Sequence, residues 1–328
     1  MKYIKSILVL LQLRVFALRE YICDYINHIK FCTRYHRFHK YSKDMYRCKI
    51  MLLNHQLEKA QTYSNPKRGY GMDKVIDLLK SIDIYINKYG YDSMIYTSIG
   101  VLKSHMENAY SYKNASITEA FMRIMANVPE QDQLQKERGG TIVKNLSKLS
   151  RNEDLYEFLD SRRSCRQYSD LAISPEEINT AVKYAMTAPS ACNRQCVRLH
   201  YYDNPKLIKD IVYAQKSDIN WCLNAKGLII ITANMSSFRD YFERNQRLFD
   251  AGLFSMNLVL GLHNQGIGSC FKMAQKSLSI DKETKKIAKI PYNEDICVLL
   301  LVGKYPDKDI VFAKSSRLDV NEIITRHS

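Results

Sequence analysis

Two apolar runs limit what this chain can fold into. Residues 227–233 read Gly-Leu-Ile-Ile-Ile-Thr-Ala and residues 296–302 read Ile-Cys-Val-Leu-Leu-Leu-Val, with no charge in either. Neither run alternates, so each predicts a strand that must be covered on both faces. The covering helices are also legible. Ser174-Pro-Glu-Glu177 supplies a serine N-cap, a proline at the first turn and a glutamate that closes a capping box. The helix it starts carries Ile178, Ala181, Val182 and Ala185 as far as the Ala188-Pro189 stop. Val197–Tyr202 alternates as a further strand, 205–212 reads as a helix, and Arg247–Gln265 as a buried helix with few charges. Strands separated by helices, with no Gly-x-Gly-x-x-Gly after a strand, predict an α+β fold rather than a doubly wound nicotinamide fold.

The chemistry sits in two short segments. A short helix over 152–159 delivers Ser161-Arg162-Arg163-Ser164-Cys165-Arg166, and one helix later comes Ala188-Pro189-Ser190-Ala191-Cys192-Asn193-Arg194-Gln195. Guanidinium forks grip a phosphate or an electron-rich heterocycle better than lysine point charges do. A turn bearing serine and amide side chains suits a planar polar ring. Taken alone, the arginine cluster fits a solvated helix end equally well.

With the second segment the pattern resembles the nitroreductase family of FMN enzymes over residues 150–328. That family opens with Arg-Arg/His-Ser-x-Arg/Lys and continues with Ala-Pro-Ser-x-x-Asn-x-Gln-Pro-Trp. Its later elements appear here as Asp250-Ala-Gly252, Asn257-Leu258, Gly266-Ile-Gly-Ser-Cys270, Gly303-Lys-Tyr-Pro306 and Ser316-Arg-Leu318. Cys196-Val197 replaces the family's Pro-Trp. The resemblance implies a mostly antiparallel central sheet flanked by helices, an FMN cofactor, NADH or NADPH as donor, and a homodimer with flavin at the subunit interface. It assigns Arg162, Ser164 and Arg317 to the phosphate, with Lys314 one place out of register beside them, counts Arg163 among the cofactor-binding residues, and sets Arg166 at the N1/C2 edge of the ring. Pro189, Ser190, Asn193 and Gln195 would form the turn against the flavin, with Lys272 and Met273 running past N5. Gly266-Ile-Gly268 also reads as a tight helix-to-strand connection.

The first 150 residues read as a mainly helical, basic extension preceding a domain over 151–328. Of the formal charge of +15, more than half lies in the first fifty residues, with 11 Lys and Arg against 3 Asp and Glu. Ile7–Leu11 is apolar, but Gln12 and Arg14 break the run short of the roughly 20 residues a membrane span needs. The segment therefore predicts either a helix packed on the protein's own body or a basic helix against an anionic membrane surface or an acidic partner. Arg34–Tyr41 interleaves cations with aromatics, but without a recognisable module it predicts no specific nucleic-acid partner. Pro66 and the glycines at 69 and 71 mark a turn, and helices are expected from about 73 to 88 and from 93 to 111. His55 and Glu58 fall one helical turn apart, as a proton-donor pair or as an ordinary helix-surface pair. This segment resembles the His-x-x-Glu-Lys patch of nitroreductase-like proteins from polysaccharide-associated gene clusters. Nine scattered cysteines without a Cys-x-x-Cys pair predict packing thiols in a reducing, cytoplasmic setting, and no metal site.

The expected activity is hydride transfer from NAD(P)H to flavin N5 and on to a small organic acceptor of nitro, quinone or enone type. The alternative is a non-catalytic protein that keeps the fold and docks partners through its basic N-terminal arm.

Overall fold

A computed structural model describes residues 2–61, 71–108, 115–129, 139–141, 154–216, 222–310, 312 and 320–327, with side chains from residue 7. Its helices are α1 (Lys2–Phe31), α2 (Lys43–Gln61), α3 (Met72–Tyr89), α4 (Ser93–Asn108), α5 (Ala115–Ala126), α6 (Leu155–Ser161), α7 (Pro175–Ala185), α8 (Pro205–Ala214), α9 (Gln246–His263), α10 (Leu278–Ala288) and α11 (Val320–Ile323). Four strands, β1 (Val197–Tyr202), β2 (Gly227–Asn234), β3 (Ile267–Met273) and β4 (Glu294–Lys304), form one antiparallel sheet in the order β1-β2-β4-β3. The fold is α+β, as the two apolar runs require.

Those runs occupy the two central strands, and their side chains divide between the sheet faces because successive residues point opposite ways. Ile229, Ile231, Leu300 and Val302 meet Ile178 and Ala181 of α7 and Ala251, Leu258 and Leu262 of α9. Leu228, Ile230, Leu299 and Leu301 meet Ile208, Ile211 and Val212 of α8 and Ala288 of α10. The predicted capping box at α7 is present, with the Ser174 side chain accepting from the Glu177 N–H and Glu177 accepting from the Ser174 N–H.

Helices α2 to α5 share a core of their own, with Leu57, Leu78, Ile82, Ile99, Leu102 and Phe121 at its centre. Of the two readings of the first segment, packing on the protein's own body applies to the C-terminal half of α1. Its C-terminal half docks on the sheet-bearing body: Glu20 accepts from the Leu278 N–H at 2.9 Å, Asp24 pairs with Arg247 at 2.9 Å, and Cys32 packs with Phe238, Ala233 and Cys196. Cys196, which stands where the resembling family has Pro, thus fills a small gap beside the incoming N-terminal segment. Ile7 to Phe16 and Leu18 stay on the surface, Val15 at 67% exposure. Among the described residues no helix is long and apolar enough to cross a membrane.

Three helices of the described residues, α5, α10 and the four-residue α11, were not anticipated. The α10 sequence ends on Lys289 in the left-handed region at φ 55°, so no glycine marks its stop. Of the turn around Pro66, only Gly71 lies within the described residues; it takes φ +85°.

Burial holds His28, His105 and His263 below the ordinary histidine pKa, with Arg162 adding to the effect at His263. A depressed folded value means that the neutral form is favoured by folding. This contribution is fully present above the unfolded value of 6.5 and is lost as pH falls through the folded values. The urea midpoint should therefore fall progressively from pH 7 to pH 5; a midpoint that holds or rises over that interval contradicts the assignment.

Candidate functional site

The arginine segment leaves α6 and runs along the free edge of β3. Ser164 bridges to Ser269 in parallel sense, and the Cys165 N–H donates to the Ser269 carbonyl at 2.8 Å. This close approach needs Gly268, because a Cβ there would lie 2.8 Å from the Cys165 side chain and from the Tyr305 ring. Gly266, at φ +72°, makes the preceding turn. Together they account for the Gly-Ile-Gly motif. His263, at the end of α9, joins its Nε2 to Ser161 Oγ at 2.8 Å and its Nδ1 to the Tyr305 hydroxyl at 3.0 Å. Sequence reasoning missed this clamp, whose two bonded pairs are 102 and 42 residues apart.

The arginines are not equivalent. Arg163 turns back on its own helix end, bonding Asp160 at 3.2 Å and the Arg162 carbonyl at 3.1 Å. Arg162 is half-buried and close enough to act electrostatically on His263 and Tyr305. Arg166 is exposed and acts on Cys165 and Cys270. Both thiols are raised by burial, which suits packing residues rather than nucleophiles. Cys32 is likewise pushed up to about 12 by burial.

The Pro-Ser turn is held in an unusual conformation. Cys192, Asn193 and Gln195 have φ of 51°, 52° and 47°, the left-handed region that costs non-glycine residues free energy. Three sets of bonds impose it. Ser190 Oγ accepts from the Gln195 N–H at 3.0 Å, and the Ser190 carbonyl accepts from the Asn193 N–H at 2.9 Å. Buried Asp250 on α9 accepts from the Ala191 N–H at 3.2 Å and from Gln246 Nε2 at 2.7 Å. Arg194, 4% exposed, forks onto Glu243 at 2.6 and 3.1 Å and donates from Nε to the Ala191 carbonyl at 3.0 Å. The Arg194–Glu243 pair was invisible in the sequence because 49 residues separate its partners. What the clamp presents to solvent is Pro189, Asn193 and Gln195.

Within one chain these two elements lie apart. The arginine segment flanks β3 while the turn leads into β1, at the opposite edge of the sheet. Three strand spacings separate those edges, about 14 Å. Along α9, Asp250 holds the turn and His263 holds the arginine segment, a rise of about 20 Å. Lys272 and Met273 end β3; Met273 is exposed, and Lys272 Nζ donates to the Met273 carbonyl at 3.0 Å. Lys314 and Arg317 lie outside the described residues.

His55 and Glu58 do reach the turn. Both line a cavity of about 470 Å³ between α2, α4 and the turn, together with Asn193 and Gln195. Glu58 accepts from the Gly140 N–H at 3.0 Å, and burial raises its pKa.

The nitroreductase family model matches residues 159–220, the stretch that carries the arginine segment, α7, the Pro-Ser turn and β1. A putative NADH dehydrogenase/NAD(P)H nitroreductase of Archaeoglobus fulgidus is 25% identical, with 52% of this chain and 97% of that one covered. The iodotyrosine dehalogenase 1 homolog of Caenorhabditis elegans is 25% identical over 53% of this chain, which spans 62% of that relative's length. Among solved structures, an FMN-dependent nitroreductase of Clostridium difficile superposes with TM-score 0.44 at 22% identity, over 52% of this chain and 98% of its own. A putative NADH dehydrogenase/NAD(P)H nitroreductase of Parabacteroides distasonis gives TM-score 0.47 at 18% identity, over 54% and 100%.

Proposed function

We propose that this protein is an FMN-dependent oxidoreductase whose flavin site combines the arginine segment of one copy with the Pro-Ser turn of a second. The observation that carries this reading is the separation of the two elements at opposite sheet edges and opposite ends of α9. Each half is individually built and individually clamped. In a two-fold dimer, the arginine edge of one copy can face the turn of the other, completing two identical sites. An apolar surface supports such pairing: Leu248, Met256 and Phe271 line a shallow groove, with Phe249 and Met273 exposed nearby in sequence.

The donor set fits the flavin. Arg162 and Ser164 hold the phosphate dianion, joined by Arg317 and Lys314 from the late segment. Arg163, tied to Asp160, serves the helix end instead. Arg166 would supply the cation at the N1/C2 edge of the ring, where it would favour acceptance of negative charge. The Met273 N–H would be the donor toward N5, and Pro189, Ser190, Asn193 and Gln195 would shape the wall from the second copy. Bound there, FMN supplies two-electron transfer from NADH or NADPH to a small organic acceptor of nitro, quinone or enone type.

Anaerobic mixing of the purified flavoprotein with NADH or NADPH tests the activity. The visible flavin absorbance should bleach with at least one donor and return when a quinone is added. Absence of bleaching with both would favour the docking alternative, in which the basic N-terminal arm is the working surface.

A further inference from the structure

The cavity above the Pro-Ser turn is walled by the wrong kind of helix face for simple packing. One stripe of α2, running through Arg47, Met51, Asn54, His55 and Glu58, lines it from end to end. A helix face that merely docks on a neighbouring layer is apolar. This one carries Arg47, Asn54, His55 and Glu58, and it leaves a chamber beside its contact with the turn.

Three features of the chamber describe what it would hold. The first is an unanswered acceptor. Asn54 is 4% exposed, and its Nδ2 donates to Ser98 Oγ at 2.9 Å, which in turn donates to the Met94 carbonyl at 2.9 Å. That chain of bonds fixes the amide orientation and leaves Asn54 Oδ1 buried with no partner. A buried acceptor without a donor is costly, so it marks a place where an O–H or N–H belongs.

The second feature is a cation outside any ion pair of the described residues. Arg47 is paired with Asp92 at 2.5 Å and Arg194 with Glu243. Arg198 has only the carbonyls of Gln195 and Val197 on its Nη1, at 2.9 and 2.8 Å, and no carboxylate among the described residues pairs with it. The acids of the chamber are engaged elsewhere: Glu58 with the Gly140 N–H, and Asp44 with Asn293 Nδ2 at 3.3 Å. The third feature is the remaining wall. Met51, Met94 and Met186 are polarizable, adaptable side chains that pack well against flat rings.

We infer that this chamber is a ligand site for a flat, conjugated or aromatic carboxylate bearing a hydroxyl or amine donor. The carboxylate pairs with Arg198, the donor answers Asn54 Oδ1, and the methionines cover the body. A volume of about 470 Å³ accommodates a molecule of this class. Because Asn193 and Gln195 also line the chamber, the inference rests in part on the flavin reading. There the ligand would lie against the cofactor wall as the electron acceptor or its competitor.

Matched probes test it: 4-hydroxycinnamate, cinnamate lacking the hydroxyl, and methyl 4-hydroxycinnamate lacking the charge. They are titrated calorimetrically into the full-length protein, with flavin content read separately from its visible absorbance. A protein without flavin that still binds 4-hydroxycinnamate would sink the flavin reading and leave the chamber standing. The wild type should bind 4-hydroxycinnamate more tightly than either analogue. Asn54→Leu should weaken 4-hydroxycinnamate about tenfold and cinnamate not at all, the cost of one buried hydrogen bond. Arg198→Met should weaken both acids and leave the ester unchanged. Equal effects of both variants on all three probes, or no binding by either acid, would overturn the assignment.

Discussion

Replacing Arg162 and Arg166 together by alanine should lower flavin affinity by a factor of about a hundred to ten thousand, from two charge-assisted contacts of about 1.5–3 kcal/mol each. The fold should survive. Arg162 is half-buried, Arg166 is exposed, and neither belongs to the four hydrophobic cores. Equilibrium dialysis against FMN reads the affinity, and the urea midpoint reads the fold. Arg163→Ala is the matched control: its side chain is spent on Asp160 and the Arg162 carbonyl, so flavin affinity should change less than threefold, under about 0.7 kcal/mol. A loss at Arg163 equal to that of the double variant would mean that the cluster binds by diffuse charge rather than by placed forks.

Arg194→Ala should be the most destabilising single substitution in the turn, by about 3–5 kcal/mol. The two side chains are 2% and 17% exposed, so removal of the guanidinium strands a nearly buried carboxylate at Glu243. Arg194 is also what holds Glu243 below the usual carboxylate range against the opposing effect of burial. Without it that pKa should rise, and the loss should be smaller at pH 4 than at pH 7. Arg194→Lys cannot reproduce the two-pronged contact together with the Nε bond to Ala191, and should recover only part of the stability. Pairing Arg194→Met with Glu243→Gln removes the stranded charge and should recover more. Because the left-handed residues 192, 193 and 195 depend on this clamp, flavin binding should fall along with stability.

The sequence carried the elements of the site further than their arrangement. The unbroken runs 227–233 and 296–302 predicted buried strands, and both became the centre of the sheet. The capping box at Ser174 was readable because all its parts lie within four residues. Helix α5 carries its signal in Ile117, Phe121 and Ile124, spaced for one face, over a span too short for the period to stand out. Clamps between distant residues left no local trace: Arg194 with Glu243, Ser161 with His263 and Tyr305, and Asp24 with Arg247. The position of Asp250 was legible as a motif, but its bond to the Ala191 N–H was not. The opposite-edge placement of the two flavin elements follows from strand order, which local patterns do not encode.

That placement is the central claim, and subunit complementation tests it most directly. Arg162→Ala/Arg166→Ala damages only the arginine half of a site, and Ser190→Trp blocks only the turn half. If each site draws on two copies, unfolding and refolding the two variants together should place one intact site in every mixed dimer. Random pairing then restores about a quarter of the wild-type flavin sites. A mixture that binds no more flavin than its separate components would contradict the account, as would a wild-type monomer that holds FMN with full affinity.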